Sequence, residues 1–242
     1  MSVATTTLHR SFVRQLLRRA HDGLTGYQDR LTERRRDHPR HQLEQLLARA
    51  RELGAPAGVR LDIGGGGGRY RDLLADPGIE VVVVDRSVAR GVDVAGDACA
   101  LPLRAQSAGL AILVETLEHL AEPTIALREC HRVLRARGLL VITTPQYWHN
   151  HGHPDDFFRY TDTGLRYLCE RAGFTVLDCW SRGGPALVAF HAIRVNLSAR
   201  WKPLFVIPFY RLAEWIDRRT YDPRPAGRHY DALGWSLIAR KP

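Results

Sequence analysis

The stretch Val59-Arg-Leu-Asp-Ile-Gly-Gly-Gly-Gly-Gly-Arg-Tyr70 decides how this chain of 242 residues folds. A short apolar strand ends in five consecutive glycines, and a helical pattern opens at Tyr70. Glycine permits positive φ and lets the backbone approach a ligand closely, while a helix start presents free N–H groups to an anion. The stretch therefore predicts a strand–loop–helix unit that binds a nucleotide-like cofactor.

Short apolar runs alternate with helical patterns on both sides of this loop. Residues 81–84 are four consecutive valines, which is typical of a strand buried on both faces. The alternation predicts an α/β fold: a Rossmann-like, seven-stranded, mostly parallel sheet with helices on both faces and an antiparallel last strand. The predicted strands are Val59–Ile63, Glu80–Asp85, Val92–Ala95, Leu110–Glu115, Gly138–Thr143, Thr175–Trp180 and Leu233–Ala239. The predicted helices between them are Tyr70–Ala75, Thr124–Arg135 and Asp162–Arg171.

The remaining segments predict the domain organisation. Residues 1–57 form a helical N-terminal extension, with helices near Phe12–Arg19 and at His41–Leu53. Residues 58–242 form the cofactor-binding domain. Within it, residues 183–231 are too long for a simple loop and predict an inserted helical cap or lid before the last strand.

Composition narrows the classes of protein and partner. The net charge is +9, and residues 1–60 hold 12 arginines against 6 acidic residues. Such an excess attracts nucleic acid, anionic lipid or an acidic substrate, or it is simply a solvated helical face. No apolar run approaches the roughly 18 residues of a membrane span. The four cysteines form no CxxC pair, so we expect neither a zinc site nor a disulfide framework, and a cytoplasmic location.

Two acids and the glycine spacing favour one cofactor class. The G-x-G-x-x-G pattern of a dinucleotide site would need a glycine where Arg69 stands. Counted from Asp62, the loop reads D-x-G-x-G-x-G instead, and the second predicted strand ends in Asp85, where an acid can accept hydrogen bonds from both ribose hydroxyls.

Five motifs in order give residues 59–182 a family resemblance. They are Asp62-x-Gly-x-Gly-x-Gly68, Asp85, Gly96-Asp-Ala98 with Leu101-Pro-Leu103, Leu113-Val-Glu-Thr-Leu-Glu-His-Leu120 with Glu122-Pro123, and Arg132-Val-Leu-Arg-Ala-Arg-Gly138. This pattern resembles the class I S-adenosylmethionine-dependent methyltransferases, in the UbiE/UbiG-like (methyltransferase type 11) group. Two departures stand out: Ala136-Arg137 replace the usual Pro-Gly, and the link Arg86–Gly91 is very short.

The resemblance implies S-adenosyl-L-methionine as the cofactor and assigns residues to it. The cofactor-binding candidates are Asp62, Gly64, Gly66, Gly68, Asp85, Arg86, Asp97, Ala98 and Glu115. The acids fall at the carboxyl ends of predicted strands, where ligands of such sheets bind.

Two clusters carry candidates for acceptor chemistry. In Glu115-x-x-Glu118-His119, helical spacing places the groups on one side of a turn, where they could hold a divalent ion or supply His119 as a base. The corresponding residues of the similar quinone-biosynthesis O-methyltransferases are implicated in metal binding. We interpret Glu118-His119 instead as capping and packing the turn, and we predict no metal site.

The second cluster, residues 147–161, resembles a loop common in methyltransferases found among polysaccharide and glycan genes. His151 is its first candidate for a base or substrate contact, and His153 is the next. Asp156 and Arg159 belong to the same loop, and one interpretation is that they form an ion pair that holds the loop in place.

These observations predict a methyltransferase for a small molecule or glycan in natural product or polysaccharide biosynthesis, acting by O-methylation of a hydroxyl. The alternatives are an RNA or protein methyltransferase, and a catalytically silent cofactor-binding partner subunit. No RNA-binding module is visible in the sequence, so we do not expect nucleic acid as a partner. A homodimer and a weak peripheral membrane contact through the segment Trp201–Trp215 stay open.

Overall fold

The computed structural model describes residues 39–198, 202–223 and 231–242. The predicted helix near Phe12–Arg19 lies outside this range, as do most of the extension 1–57 and Trp201 in the predicted cap. Within the described ranges, no helix has both the length and the apolar character needed to cross a membrane.

A seven-stranded sheet forms the centre of the molecule, with strand order β3-β2-β1-β4-β5-β7-β6. Strands β1 to β5 run parallel, and β7 is antiparallel to both of its neighbours, β5 and β6. The predicted fold class is thus confirmed. The strands are β1 (Val59–Ile63), β2 (Val81–Asp85), β3 (Val94–Ala95), β4 (Ala108–Val114), β5 (Leu134–Pro145), β6 (Thr175–Arg182) and β7 (Gly234–Arg240).

Helices cover both faces of the sheet because its central strands send alternate side chains to opposite sides. In β4, all of whose residues are buried, Leu110 and Ile112 pack with the leucines of the first helix, whereas Ala111 and Leu113 join the core beneath the third and fourth helices. The helices are α1 (Pro39–Glu52), α2 (Arg71–Leu74), α3 (Pro123–Val133), α4 (Asp162–Arg171), α5 (Pro185–Asn196) and α6 (Lys202–Thr220).

The turn before β5 departs from its prediction. Helix α3 ends at Val133 and the strand begins at Leu134, four residues before the predicted Gly138. Its register against β4 shifts there, and Arg137 adopts a φ of +65° while its N–H donates to the Lys241 carbonyl. Arg137, a residue with a side chain, thus takes up a left-handed conformation in this turn, where the family pattern has the glycine of Pro-Gly.

Helices α5 and α6 form a hairpin inside the segment that the sequence predicts as an inserted cap. The carboxylate of Asp217 on α6 lies at the N-terminus of α5. It accepts hydrogen bonds from the N–H groups of Gly184, Ala186 and Leu187 at 2.9 to 3.1 Å. Because these N–H groups have no partner inside their own helix, Asp217 fixes the angle between the two helices.

Candidate cofactor and acceptor site

The glycine loop turns sharply between β1 and α2. Gly64 has a φ of +75°, and a Cβ at this position would lie 2.2 Å from Cγ2 of Thr116. Gly66 has a φ of +53°, and a Cβ there would meet no neighbouring atom within 4 Å. Backbone conformation therefore requires glycine at both positions, and a tertiary contact requires it at Gly64 as well.

Asp85, at the end of β2, anchors this loop. Its Oδ2 accepts a hydrogen bond from the N–H of Gly66 at 2.8 Å, and its Oδ1 accepts from both the N–H and the hydroxyl of Ser87. Burial alone would raise the pKa of Asp85, but these hydrogen bonds outweigh it and hold the pKa below the ordinary value. The carboxylate is therefore ionised and able to accept a further hydrogen bond.

Asp62 lies under the loop at the end of β1. It is buried, and its Oδ2 has no hydrogen-bond partner among the described residues. Burial raises the pKa of Asp62 to about 7, an effect that the positive charge of Arg71 opposes. A buried acid without a partner is stabilised by any cationic group that a ligand brings to it.

A cavity of about 310 Å³ opens between the ends of β1, β2 and β4. Its lining includes residues of the first four motifs and of the loop after β5: Gly64, Val84, Asp85, Arg86, Gly96, Asp97, Ala98, Glu115, Thr116, His119, Leu120, Gly152 and Asp155. The predicted cofactor residues Asp62, Gly66 and Gly68 are not part of this lining. The N–H of Cys99 orients the Asp97 carboxylate by donating a hydrogen bond to its Oδ1 at 2.8 Å. The motif residues thus converge on one space, as expected at the switch point of a doubly wound sheet.

Glu115, another predicted cofactor residue, is held from below. Its carboxylate accepts hydrogen bonds from the Thr143 hydroxyl and from the guanidinium of the buried Arg182, each at 3.0 Å. Glu115 also has a φ of +51°, a strained conformation for a residue with a side chain. These contacts engage both oxygens of the Glu115 carboxylate, which remains near Glu118 and lines the same cavity as His119.

Three side chains from the two predicted clusters of acceptor-site candidates come together in the structure. Ligand atoms of Glu118, His119 and His151 lie within 4.8 Å of one another. The rings of His119 and His151 meet edge to face with their centroids 4.9 Å apart. This set could bind a divalent cation or handle a proton, since carboxylate and imidazole serve both roles.

The hydrogen bonds of each histidine assign its tautomer. Nδ1 of His119 lies 2.5 Å from the carbonyl oxygen of Asp155. Nδ1 of His151 lies 3.2 Å from the carbonyl oxygen of His149 and 3.6 Å from Oδ2 of Asp156. Because only acceptors surround each Nδ1, the ring hydrogen belongs there and Nε2 is left as the proton-accepting atom.

The loop that carries His151 is held by an internal ion pair. Both guanidinium nitrogens of Arg159 bind the carboxylate of Asp156, at 2.6 and 2.9 Å, and the N–H of His151 donates to the same carboxylate. The Arg159 guanidinium holds the pKa of Asp156 well below its usual range. A second pair, Arg86 with Asp155, joins the loop to the end of β2. The predicted ion pair between Asp156 and Arg159 is thus confirmed. Arg86 both contacts this loop and lines the cavity.

Glu118 is the most constrained member of the group. Its side chain is fully buried, and neither carboxylate oxygen has a hydrogen-bond partner among the described residues. Burial raises the pKa of Glu118 to about 8, and the nearby charge of Glu115 acts in the same direction. Glu118 is therefore largely protonated at neutral pH.

Stacked rings connect this group to the helical hairpin. His191 of α5 stacks on Trp148 with a centroid distance of 4.2 Å and lies 5.7 Å from His149. His149 is in turn 6.3 Å from His151. His153 is exposed and lies outside the Glu118–His119–His151 group. The hairpin thus borders the histidine side of the cavity.

The site includes residues that sequence reasoning missed. Thr116 packs against Gly64, Asp155 binds both Arg86 and His119, and Arg182 pairs with Glu115. Thr116 and Asp155 stand next to predicted residues, which was the available signal. Nothing local marks Arg182, because its partner lies on a strand that is distant in sequence.

The sequence model of the family described as a methyltransferase domain matches residues 61–142, which include β1, the glycine loop, Asp85, Asp97 and Glu115. Residues 61–142 therefore carry a methyltransferase domain of the class I, S-adenosylmethionine-dependent type. The positive-φ glycine loop, the ionised Asp85 and the unpartnered Asp62 fit the ribose and the cationic amino acid part of that cofactor.

Known proteins place this domain in a wider context. The malonyl-[acyl-carrier protein] O-methyltransferase of Methylococcus capsulatus is 37% identical to this chain over 116 residues, and the match covers 42% of each of the two chains. The chain thus matches less than half the length of that relative.

Among solved structures, a methyltransferase of Archaeoglobus fulgidus is similar with a TM-score of 0.54 and 18% identity, covering 89% of this chain and all of that one. The 1,6-didemethyltoxoflavin-N1-methyltransferase of Burkholderia thailandensis is similar with a TM-score of 0.53 and 19% identity, covering 96% of this chain and 89% of that one. At such identities the likeness establishes the fold alone.

Proposed function

We propose that the protein transfers the methyl group of S-adenosylmethionine to a hydroxyl of a small molecule or glycan. One observation carries this proposal: His119 lines the cofactor cavity, His151 adjoins it, and each ring directs its unprotonated Nε2 away from a backbone carbonyl. Two proton acceptors beside a methyl-donor site suit an acceptor that must lose a proton, as a hydroxyl does.

The cofactor would be held through three contacts. The Asp85 carboxylate would accept hydrogen bonds from the ribose hydroxyls, and Asp97 with Ala98 would border the adenine. Asp62 would balance the positive charge of the amino acid part. Because these groups come from the ends of three adjacent strands, the sheet itself fixes their spacing.

The chain's own task in the transfer is orientation and proton acceptance. Bound S-adenosylmethionine supplies an electrophilic methyl group on its sulfonium. Nε2 of His119 or His151 would take the proton that the acceptor hydroxyl loses as its oxygen receives the methyl group. Holding the acceptor oxygen within roughly 3–3.5 Å of the methyl carbon contributes more to the rate than proton acceptance does. Asp156, 3.6 Å from Nδ1 of His151, stabilises the imidazolium that results.

The matched relative supports oxygen as the acceptor atom, since its name describes an O-methyltransferase. That match covers 42% of each chain, so it says nothing of the particular acceptor. The acceptor class rests on the histidine group instead.

A labelled-methyl assay tests the proposal. The purified chain is incubated with tritiated S-adenosylmethionine and panels of hydroxylated sugars, hydroxylated natural products, RNA and protein. Label in a hydroxyl compound that disappears in Asp85→Ala supports the proposal. Label in RNA or protein instead would contradict it, and cofactor binding with no transfer to any panel would favour a silent partner subunit. Adding EDTA distinguishes proton acceptance by histidine from cation-assisted deprotonation.

A further inference from the structure

The outer face of the α5–α6 hairpin carries large apolar side chains in contact with solvent. We define the hairpin face by the exposed residues of α6: Phe205, Ile207, Phe209, Leu212, Trp215 and Ile216. Phe205, Phe209, Leu212 and Ile216 follow the i, i+4, i+7, i+11 spacing of one helical stripe. Each of these four side chains is 36 to 50% exposed.

A groove between the two helices continues this face inward. Its volume is about 370 Å³, and its lining is almost wholly apolar, with Phe190 and Ile193 of α5 opposite Phe205 and Phe209 of α6. Monomeric proteins rarely leave a continuous apolar surface of this kind in water without using it.

The acidic side chains of the hairpin and three of its arginines lie on different sides of it. Its two acids are turned inward: Asp217 binds the N-terminus of α5, and Glu214 is buried and paired with Arg218. Three of its arginines lie on the outside: Arg211 and Arg218, which are 72% and 50% exposed and both pair with Glu214, and Arg219, which lies 4.3 Å over the Trp215 ring. Arg194 of α5 lines the groove instead. Residues 185–220 hold six basic residues against two acidic ones.

The rim charge decides between the two occupants that such a face could have. A two-fold dimer would place the hairpin face against itself and bring its basic rim against an identical basic rim, which is repulsive. An anionic lipid surface offers phosphate groups to the arginines and the acyl boundary to Phe, Leu and Trp side chains. We propose that the α5–α6 hairpin docks on the surface of an anionic lipid bilayer.

Docking at this face would bring the acceptor side of the site to the membrane. His191 of α5 stacks on Trp148, whose loop carries His151. Membrane docking and methyl transfer are tested separately, because vesicle binding is measured without cofactor or acceptor.

Vesicle co-sedimentation of the full chain tests the proposal. The probes are phosphatidylcholine vesicles with about one third phosphatidylglycerol, and pure phosphatidylcholine vesicles. We expect binding to the anionic vesicles that weakens with salt. The double variant Phe209→Ser/Leu212→Ser keeps every charge, including the arginines of residues 1–60, and should bind about tenfold more weakly. The control Ile125→Ser/Tyr167→Ser changes comparably exposed apolar residues on α3 and α4 and should bind as the wild type does.

Three results would overturn the proposal. Undiminished binding of the double variant, with folding verified by its urea transition, would place membrane contact elsewhere in the chain. A dimer in sedimentation velocity that Phe209→Ser/Leu212→Ser dissociates, with no vesicle binding, would assign the hairpin face to a second copy. A monomer that binds neither kind of vesicle would leave no membrane role.

Discussion

The imidazole rings of His119 and His151 stand edge to face, 4.9 Å apart, although one follows β4 and the other follows β5. Parallel pairing of β4 with β5 brings the two strand ends to the same edge of the sheet. Gly152 makes the approach possible, because a Cβ there would lie 2.8 Å from Cε1 of His119. The two candidate bases therefore belong to one group rather than to two.

Removing either histidine of this pair should slow methyl transfer and leave cofactor binding nearly intact. We expect His119→Ala and His151→Ala each to reduce kcat by about 100-fold or more, as loss of a general base does. His153→Ala is the matched control within the same loop, and its turnover should stay near that of the wild type. Steady-state kinetics combined with calorimetric titration of S-adenosylmethionine measures both effects. Wild-type turnover in both alanine variants would remove the pair from the mechanism.

Asp85 and Ser87 should have opposite effects on cofactor affinity. Asp85→Ala removes the acceptor of the ribose hydroxyls and should weaken binding about 100-fold, or about 3 kcal/mol. Ser87 donates two hydrogen bonds to one Asp85 oxygen, and its hydroxyl competes for the sites that the ribose needs. Ser87→Ala should therefore bind S-adenosylmethionine at least as tightly as the wild type. Calorimetry compares the variants, and equal affinity of Asp85→Ala would contradict the ribose role.

The buried acid Glu118 predicts a specific pH dependence of stability. Its pKa of about 8, against an ordinary 4.5, means that between these values the folded protein keeps a proton that the unfolded chain has released. The free energy of unfolding should therefore fall as pH rises through this window, and Asp62 acts in the same direction up to about pH 7.

Glu118→Gln tests that dependence, because the amide stays neutral at every pH. We expect its free energy of unfolding at pH 9 to exceed that of the wild type by more than about 1.4 kcal/mol, the equivalent of one pKa unit. Glu170→Gln, an exposed change on α4, should retain the decline of the wild type. Urea unfolding between pH 5 and pH 9 supplies the values, and parallel curves for wild type and Glu118→Gln would show that Glu118 is ionised in the fold.

Asp217 should determine the stability of the hairpin. Asp217→Ala leaves three N–H groups at the start of α5 without their acceptor, and we expect a loss of about 1–2 kcal/mol. Asp217→Asn keeps one acceptor oxygen and should lose less. Amide hydrogen exchange should rise first in α5. Unchanged exchange at Gly184 and Leu187 would mean that another group holds this helix end.

Arg137 offers a stabilising change. Its φ of +65° costs a residue with a side chain about 1 kcal/mol, which glycine avoids. Arg137→Gly should thus raise the free energy of unfolding by up to about 1 kcal/mol. The neighbouring Ala136→Gly, at an exposed position outside the left-handed region, should lower it. Urea midpoints distinguish the two, and destabilisation by both would show that φ at Arg137 is not the limiting factor.

The sequence by itself determined the sheet and the cofactor side of the site. The valines before Asp85, the five glycines after Ile63 and the acid at Asp97 are signals that local spacing carries, because a strand, its turn and the next helix start lie close together in the chain. Of these residues, Gly64, Val84, Asp85 and Asp97 line the cavity where the pattern predicted a cofactor. The helix Asp162–Arg171 and the strand Val59–Ile63 have the predicted bounds.

Only the tertiary structure decided the acceptor side. Local spacing pointed to Glu115, Glu118 and His119, whereas the tertiary structure pairs Glu115 with Arg182 on β6 and adds His151, from the loop after β5, to Glu118 and His119. The hairpin angle likewise depends on Asp217 reaching the start of α5. Each of these contacts joins elements that are distant in sequence, so their meeting depends on strand order and packing, which no local pattern encodes.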